Sequence, residues 1–336
     1  MKNLKIIEVK SELGAGTRGA SLGSEALKLA SLEHGDSLFG KVKSREIRDS
    51  SRLLFQHPQR VHAKRIKGVV KVFERLAKAV QSEIQRGHIP IILSGDHSSA
   101  GGGIAGLKAV FPNERIGVVW IDAHADLHSP YTTPSGNIHG MPLATALAID
   151  HLEMTQNNLD SDDTIPHWEK LKNLGNICPK LLPEDLVFIG LRDLEPAESS
   201  YIRQHQILKI TPAVLRRSGI KKAIEKALLH LQHCSALYVS FDVDSLDARL
   251  VPGTGTPVKD GLTVDEAKKI LTQVLKDPRV RCFELTELNP LLDSQNQTAY
   301  RVFPIFKKAV ETLAKKQKKQ KVKLNLGGTA PKTSLL

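Results

Sequence analysis

Residues 116–140 combine a buried-type apolar run with a group of evenly spaced ionisable side chains. They read IGVVWIDAHADLHSPYTTPSGNIHG, in which an apolar run gives way at alternate positions to Asp122, His124, Asp126 and His128. Alternate side chains of an extended backbone share one face, so we predict that these groups converge at the end of a buried segment. Carboxylates brought together there would repel one another and resist desolvation. The pattern therefore predicts a bound cation.

Short β-rich runs alternate with helical patterns along the chain, which is typical of a parallel sheet with helices around it. The predicted strands cover residues 4–9, 89–93, 115–121, 185–190, 236–241 and 280–285. The predicted helices cover residues 24–32, 66–84, 99–110, 219–233, 263–276 and 296–317. Residues 150–180 look irregular. Because no repeat or linker interrupts the pattern, we predict one α/β domain over residues 1–312 and a basic, partly disordered tail over residues 313–336.

Several of the predicted strands end in polar side chains. His97, Asp122 and Asp242 each follow one of these strands closely, and Glu287 follows another. Ligands of an open parallel sheet bind beyond the carboxyl ends of its strands, so we expect these side chains to share one rim. The polar residues after any one strand, taken alone, could also cap a helix or lie on a solvated turn. The prediction depends on their common position.

Imidazole and carboxylate donors without a thiolate suit Mn²⁺ and its neighbours better than a structural zinc ion. The candidate ligands are His97, Asp122, His124, Asp126, Asp242 and Asp244. Two divalent cations match the charge of these aspartates, whereas a single cation leaves half of it uncompensated. We therefore predict a binuclear site, in which a bridging water would lose a proton near neutral pH and become a nucleophile.

The charge of this predicted site also favours a class of substrate. Hydroxide and Glu287 leave the site slightly negative, which suits a cation. A guanidinium group is planar, and a carboxylate such as Glu287 can hold it through paired hydrogen bonds while the hydroxide faces its carbon atom.

The net charge of +12 raises the question of a nucleic-acid partner. Half of this charge is carried by six lysines near the start of the tail, namely Lys315, Lys316, Lys318, Lys319, Lys321 and Lys323. That segment has no interleaved aromatic residue and follows a helical pattern, so we interpret it as a solvated end and expect neither a nucleic-acid nor a membrane partner. No stretch reads as a membrane span or a signal peptide, and we expect a cytoplasmic location.

The same segments resemble the ureohydrolases, and within them the arginases. The matching segments are SGDHS (94–98), WIDAHADLHSP (120–130), SGNIHG (135–140), GLRDLEP (190–196), SFDVDSLDARLVPGTGTPVKDGLT (240–263) and ELNP (287–290). The resemblance implies a three-layer α/β/α fold with a mainly parallel central sheet and a commonly oligomeric protein. It also implies two Mn²⁺ ions per subunit, with Co²⁺ as an alternative, and hydrolysis of L-arginine to L-ornithine and urea.

The resemblance also implies a role for each matching residue. One metal would be held by His97, Asp122, Asp126 and Asp242, and the other by Asp122, His124, Asp242 and Asp244. Asp126 would orient the hydroxide, His139 would shuttle protons to the leaving amine, and Glu287 would anchor the guanidinium. The implied substrate contacts are His128, Ser135, Asn137, Glu195, Glu198 and Thr256.

Two of these positions depart from the family pattern. His128 stands where many arginases carry an asparagine that meets the substrate α-carboxylate, and Glu195 is longer than the usual aspartate. A histidine can still donate a hydrogen bond to a carboxylate, so arginine remains the first choice of substrate.

Other functions remain open at this stage. A related ureohydrolase would act on agmatine or a guanidino acid, and a non-catalytic member would keep the fold without turnover. The glycines of GAGTRG (14–19), which follow the first predicted strand, also fit a dinucleotide-binding loop. The helical pattern begins late for that loop, however, and no strand places a ribose-binding acid.

Overall fold

The computed structural model describes residues 1, 3–48, 50–159 and 163–326, without the side chains of residues 317–326. Its centre is a sheet of eight strands that are all parallel, in the order β2-β1-β3-β8-β7-β4-β5-β6. The strands are β1 (Leu4–Val9), β2 (Ser44–Glu46), β3 (Ile89–Ser94), β4 (Ile116–Ile121), β5 (Leu186–Ile189), β6 (Leu208–Ile210), β7 (Ala236–Asp242) and β8 (Val280–Thr286).

Helices connect the strands. They are α1 (Gly23–Glu33), α2 (Leu38–Lys41), α3 (Ile66–Gln85), α4 (Ser99–Val110), α5 (Pro142–Leu147), α6 (Thr164–Lys172), α7 (Pro196–Gln204), α8 (Pro212–Ser218), α9 (Ile220–His230), α10 (Val264–Val274) and α11 (Gln297–Leu326). Within the described part of the chain, none of them combines the length and the apolar character needed to cross a bilayer.

Two apolar clusters lie on opposite faces of the sheet. On β4, Val119 and Ile121 belong to the cluster that packs against α1, α9, α10 and α11. Val118 and Trp120 alternate with them and belong to the cluster under α3, α4 and α5. Because the strand is buried on both sides, its sequence is a continuous apolar run. The predicted three-layer α/β/α fold is therefore confirmed, with a wholly parallel sheet.

The structure differs from the sequence prediction in short elements. Both edge strands, β2 and β6, are only three residues long and carry no apolar run that would reveal them. Residues 150–180 are not irregular throughout, because α6 lies within them and buries Trp168 and Leu171 against its neighbours. Its apolar face spans too few turns to stand out in the sequence.

The basic C-terminal segment begins as part of the folded core. Helix α11 continues through the predicted boundary at residue 312 without a break, and Leu313 is fully buried. The side chain of Lys316 is also buried and donates a hydrogen bond of 2.8 Å to the carbonyl oxygen of Val280. Burial lowers its pKa to about 7. The interpretation of this segment as solvated is therefore wrong for Lys316, while the rest of the predicted tail, from residue 317, lies outside the described side chains.

Candidate metal centre

Strands β3, β8, β7 and β4 are neighbours in the sheet, and their carboxyl ends open into one cleft of about 250 Å³. Every site residue predicted from the sequence lines this cleft. They are His97, Asp122, His124, Asp126, His128, Ser135, Asn137, His139, Glu195, Glu198, Asp242, Asp244, Thr256 and Glu287. The predicted convergence at the carboxyl edge of the sheet is thus present in the structure.

Three carboxylate oxygens surround one imidazole nitrogen at the base of the cleft. The Nδ1 atom of His97 lies 3.0 Å from an Oδ2 atom of Asp122, of Asp126 and of Asp242. All four side chains are buried. Neither His97 Nδ1 nor Asp122 Oδ2 has a hydrogen-bond partner within the described residues. Buried polar atoms normally have one, so this arrangement fits a cation placed among them.

A second group of donor atoms shares one residue with the first. Nδ1 of His124 lies 3.0 Å from Oδ2 of Asp244 and 3.5 Å from Oδ1 of Asp122. Asp122 therefore presents one oxygen to each group. Nε2 of His124 also lies 3.6 Å from Oδ2 of Asp193, a cleft residue that the sequence analysis did not single out. Its position in GLRDLEP was the available signal.

The backbone brings these ligands together by turns and not by an extended strand. Oδ1 of Asp122 accepts a hydrogen bond of 2.7 Å from the amide of His124, and Oδ1 of Asp242 accepts the same bond from the amide of Asp244. Asp126 has a positive φ of 52°. The expectation of an extended segment with alternating side chains is therefore wrong in its geometry, although the groups do converge. A left-handed non-glycine residue costs of order 1–3 kcal/mol and is typical of functional sites.

The electrostatics of the site reflect this crowding. Burial and the repulsion of Asp122 raise the pKa of Asp126 to about 7. Burial and the charge of Asp244 raise the pKa of Asp242. Burial opposes protonation of His97, but the surrounding carboxylates outweigh it and hold the His97 pKa above its usual range. Without a metal, protons must neutralise this cluster, so metal binding would release them.

A glutamate and a histidine form one wall of the cleft. Oε1 of Glu287 accepts a hydrogen bond of 2.8 Å from the amide of His97 and lies 3.1 Å from Nδ1 of His139. Burial disfavours the imidazolium, but the carboxylate of Glu287 raises the His139 pKa to about 9. Glu287 also has a positive φ of 62°. The backbone at this position thus holds its side chain toward His97 and His139.

Acidic residues at the start of α7 also line the cleft. Nε2 of His128 lies 3.5 Å from Oε2 of Glu195, while its Nδ1 is 3.2 Å from the hydroxyl of Thr132. Glu198 is buried, which raises its pKa to about 7, and its Oε2 accepts a hydrogen bond from the amide of Glu195. Thr256 donates a hydrogen bond of 3.0 Å to Oδ2 of Asp244 and so contacts a candidate ligand directly.

The glycine-rich loop at residues 14–19 does not form a nucleotide site. The amides of Gly19 and Ser21 donate to Oε2 of Glu12 at 2.8 and 2.9 Å, so the protein's own carboxylate occupies the place of a phosphate. The amide of Gly14 donates to Asp96, and its carbonyl oxygen accepts a hydrogen bond from the amide of His139. The dinucleotide-binding hypothesis is therefore wrong, and this loop supports the cleft.

Comparison with known proteins decides the family. The Arginase family model matches residues 2–310. This chain belongs to the arginase family. It is 34% identical to the arginase of Bacillus caldovelox over 312 residues, which cover 89% of this chain and 95% of that protein. It is 33% identical to the arginase of Bacillus subtilis, covering 88% and 94% of the two chains.

Solved arginase-family structures agree with this assignment. The native structure of Bacillus caldovelox arginase at pH 5.6 superimposes with a TM-score of 0.77 at 33% identity, covering 92% of this chain and 98% of that one. The structure of Entamoeba histolytica arginase in complex with L-ornithine gives a TM-score of 0.77 at 25% identity, covering 93% and 98%. The resemblance to the arginases inferred from the sequence is confirmed.

The raised pKa values predict how the metal-free protein responds to pH. The native state keeps protons on Asp126 and His139 that the unfolded chain releases, so the contribution of these two groups to the free energy of unfolding should fall as pH rises from about 4 to about 9. The Asp126 contribution is present below its ordinary pKa and is lost by about pH 7. In Asp126→Asn the fall between pH 4 and 7 should therefore be smaller.

Urea unfolding of chelated protein across this pH range measures the effect. The exposed Asp265 on α10 offers a matched control, and Asp265→Asn should keep the wild-type pH dependence. Identical slopes for wild type and Asp126→Asn between pH 4 and 7 would contradict the crowding of Asp126.

Proposed function

We propose that this protein hydrolyses L-arginine to L-ornithine and urea with the help of two divalent cations, Mn²⁺ in the first place and Co²⁺ as an alternative. The observation that carries the proposal is the unpartnered Nδ1 of His97 at 3.0 Å from three carboxylate oxygens, next to a second donor group that shares Asp122. This arrangement lies at the base of a cleft in a chain of the arginase family.

The residues present fit the proposed cations. His97, Asp122, Asp126 and Asp242 would hold one of them. Asp122, His124, Asp242 and Asp244 would hold the other. Oxygen and imidazole donors of this kind suit Mn²⁺. When bound, the cations supply Lewis acidity and lower the pKa of a bound water.

Three side chains around this centre would act on the substrate. Oε1 of Glu287 is engaged by His97 and His139, so its Oε2 is the atom placed to accept hydrogen bonds from the guanidinium. The raised pKa of His139 keeps its imidazole protonated at neutral pH, so it can give a proton to the leaving amine. Asp126 lies on the metal side and would orient the attacking water through its carboxylate.

The outer cleft suits the two ends of an α-amino acid. Glu195 and Glu198 form an acidic wall that would receive the α-amino group. Ser135 and Asn137 lie elsewhere around the cleft, and the ammonium group of Lys64 lies 3.4 Å from Oδ1 of Asn137. Ser135, Asn137 and His128 would receive the α-carboxylate of the substrate. Arginine offers both groups, whereas agmatine has no carboxylate.

The bound L-ornithine reported for the Entamoeba histolytica arginase structure also supports an amino-acid ligand for this cleft.

We further propose that residues 1–312 belong to a single catalytic domain, which α11 extends at least to the buried Lys316. We also propose that the protein is a cytoplasmic homo-oligomer without nucleic-acid partners. Leu29 and Leu32 on α1 are 56% and 71% exposed, and Tyr300 on the neighbouring α11 is 46% exposed. Leu29 and Leu32 are three positions apart and lie on one face of α1, and this pair of exposed apolar side chains supports association between copies. A monomer in light scattering of the metal-loaded protein would contradict the assembly.

The substrate proposal predicts a ranking in an assay of urea formation. After incubation with Mn²⁺ or Co²⁺, kcat/KM should be at least about tenfold higher for arginine than for agmatine or guanidinobutyrate, because only arginine presents both polar groups. Excess chelator should abolish turnover. Agmatine as the preferred substrate would favour the related ureohydrolase, and no turnover of any substrate by folded, metal-loaded protein would favour a non-catalytic member.

Variants of the inner cleft test the catalytic assignments. Asp126→Asn and His124→Ala should each lower kcat for arginine by at least about 100-fold. Circular dichroism should stay nearly unchanged, because neither side chain belongs to the two apolar clusters of the core. Asp265→Asn on the exposed face of α10 is the control. Near-normal turnover of Asp126→Asn with its metals bound would show that the role given to Asp126 is wrong.

Glu287→Gln tests the guanidinium contact. It removes the charge of the proposed anchor, so KM for arginine should rise and kcat should fall, with a combined loss of about 10- to 100-fold in kcat/KM. Glu83→Gln is the control, because Glu83 is a buried glutamate of α3 that bonds His88. Comparing the steady-state kinetics of the two variants separates the loss of the guanidinium contact from the general loss of a buried charge. An unchanged KM would count against anchoring at Glu287.

A further inference from the structure

A buried carboxylate lies directly behind the candidate metal centre. Glu284 of β8 is fully buried, and no ion pair with a lysine or arginine engages it among the described residues. Three hydroxyl groups donate to it instead. Ser94 donates to Oε1 at 2.8 Å, while Tyr238 and Ser240 donate to Oε2 at 2.8 and 3.1 Å. A buried acid without a cationic partner is costly, so its retention in the core calls for a reason.

The register of the sheet connects this carboxylate to a candidate ligand. Ser240 of β7 lies opposite Glu284 on one side and opposite Trp120 of β4 on the other. The imidazole of His97 stacks on Trp120 with ring centroids 4.0 Å apart and planes 6° apart. This stacking brings Nε2 of His97 to 2.8 Å from the hydroxyl of Ser240. His97, Ser240 and Glu284 therefore form one chain of hydrogen bonds.

The carboxylate sets the direction of these hydrogen bonds. Burial raises the pKa of Glu284, but the three donated hydrogen bonds oppose that rise and favour the form in which both oxygens only accept. A serine hydroxyl has one hydrogen to give. If Ser240 gives that hydrogen to Glu284, it can only accept from His97, and the imidazole hydrogen must lie on Nε2. Nδ1 then keeps its lone pair, and this is the atom that faces the three carboxylate oxygens. Without Glu284, Ser240 could donate to Nε2 and leave the hydrogen on Nδ1, facing the cation.

We propose that Glu284 is a positioning residue which, through Ser240, fixes the tautomer and orientation of His97 for metal binding. The proposal rests on the metal centre proposed above. Metal-ligating histidines usually donate their second ring nitrogen to a carboxylate, carbonyl or water, and loss of such a partner typically lowers metal affinity by about 10- to 100-fold. Here a serine relays that contact to the glutamate.

Equilibrium binding of Mn²⁺ to the full-length, metal-free protein tests this role. Glu284→Gln should weaken one of the two sites by about 10- to 100-fold. At a Mn²⁺ concentration that fills both wild-type sites, metal analysis should then find close to one ion per chain. Electron paramagnetic resonance should show isolated Mn²⁺ in place of a coupled pair.

Ser240→Ala provides the second arm, because it interrupts the same chain without removing a charge. It should weaken the same site, and adding Glu284→Gln to it should change the affinity by less than about twofold, since both changes act along one path. If Glu284 had a purely structural role, Glu284→Gln would lower the affinity for Mn²⁺ by the same factor in the wild-type protein and in Ser240→Ala. If Glu284→Gln does not fold, Ser240→Ala alone decides, and wild-type affinity in that variant overturns the proposal.

Ser94→Ala is the matched control, because it removes a hydroxyl from the other oxygen of Glu284 and touches no part of His97. It should bind Mn²⁺ within about threefold of wild type, and a loss as large as that of Glu284→Gln would overturn the proposal.

Urea unfolding of each metal-free variant reports general damage separately. If wild type binds fewer than two Mn²⁺ ions, the metal centre itself is wrong. If wild type binds two while Glu284→Gln and Ser240→Ala bind as tightly, only the role of Glu284 is wrong.

Discussion

The mutual repulsion of buried aspartates is the constraint on which the candidate site depends. The protein divides the two oxygens of each key carboxylate between different tasks. Oδ1 of Asp122 and of Asp242 accepts an amide hydrogen two residues further along the chain, at 2.7 Å in both cases. The Oδ2 atoms remain directed at His97. Each turn thus holds its carboxylate through a backbone hydrogen bond to one oxygen and leaves the other oxygen facing His97.

The parallel sheet supplies the framework for this arrangement. Because β3, β8, β7 and β4 are neighbours, their carboxyl ends deliver ligands to one place from distant parts of the chain. The layer beneath the ligands is polar but closed, with hydroxyl groups around Glu284. Apolar side chains surround that layer on both sides. The side chains therefore become less polar from the cleft toward the core. The backbone is left-handed at Asp126 and Glu287, which follow β4 and β8 and line the site.

The sequence predicts the sheet well because the long buried strands consist of continuous apolar runs. It predicts the candidate ligands because they follow those runs directly. It does not predict features that depend on contacts between distant segments. Glu284 resembles an interruption of an apolar strand until Ser240 is seen opposite it. The GAGTRG loop resembles an anion site until Glu12 is found on its amides. Lys316 reads as one of a solvated series, and only the packing of α11 reveals that it is buried.

The stacking of His97 on Trp120 gives the protein an internal optical reporter. The chain has two tryptophans, and the other, Trp168 on α6, donates a hydrogen bond to Asp150. The indole of Trp120 is fully buried and lies flat against the imidazole. A positively charged imidazole quenches a neighbouring indole more strongly than a neutral one, so replacement of the His97 proton by a bound cation should change the emission of Trp120. Binding of a cation at the base of the cleft could thus be followed through tryptophan fluorescence, without a label.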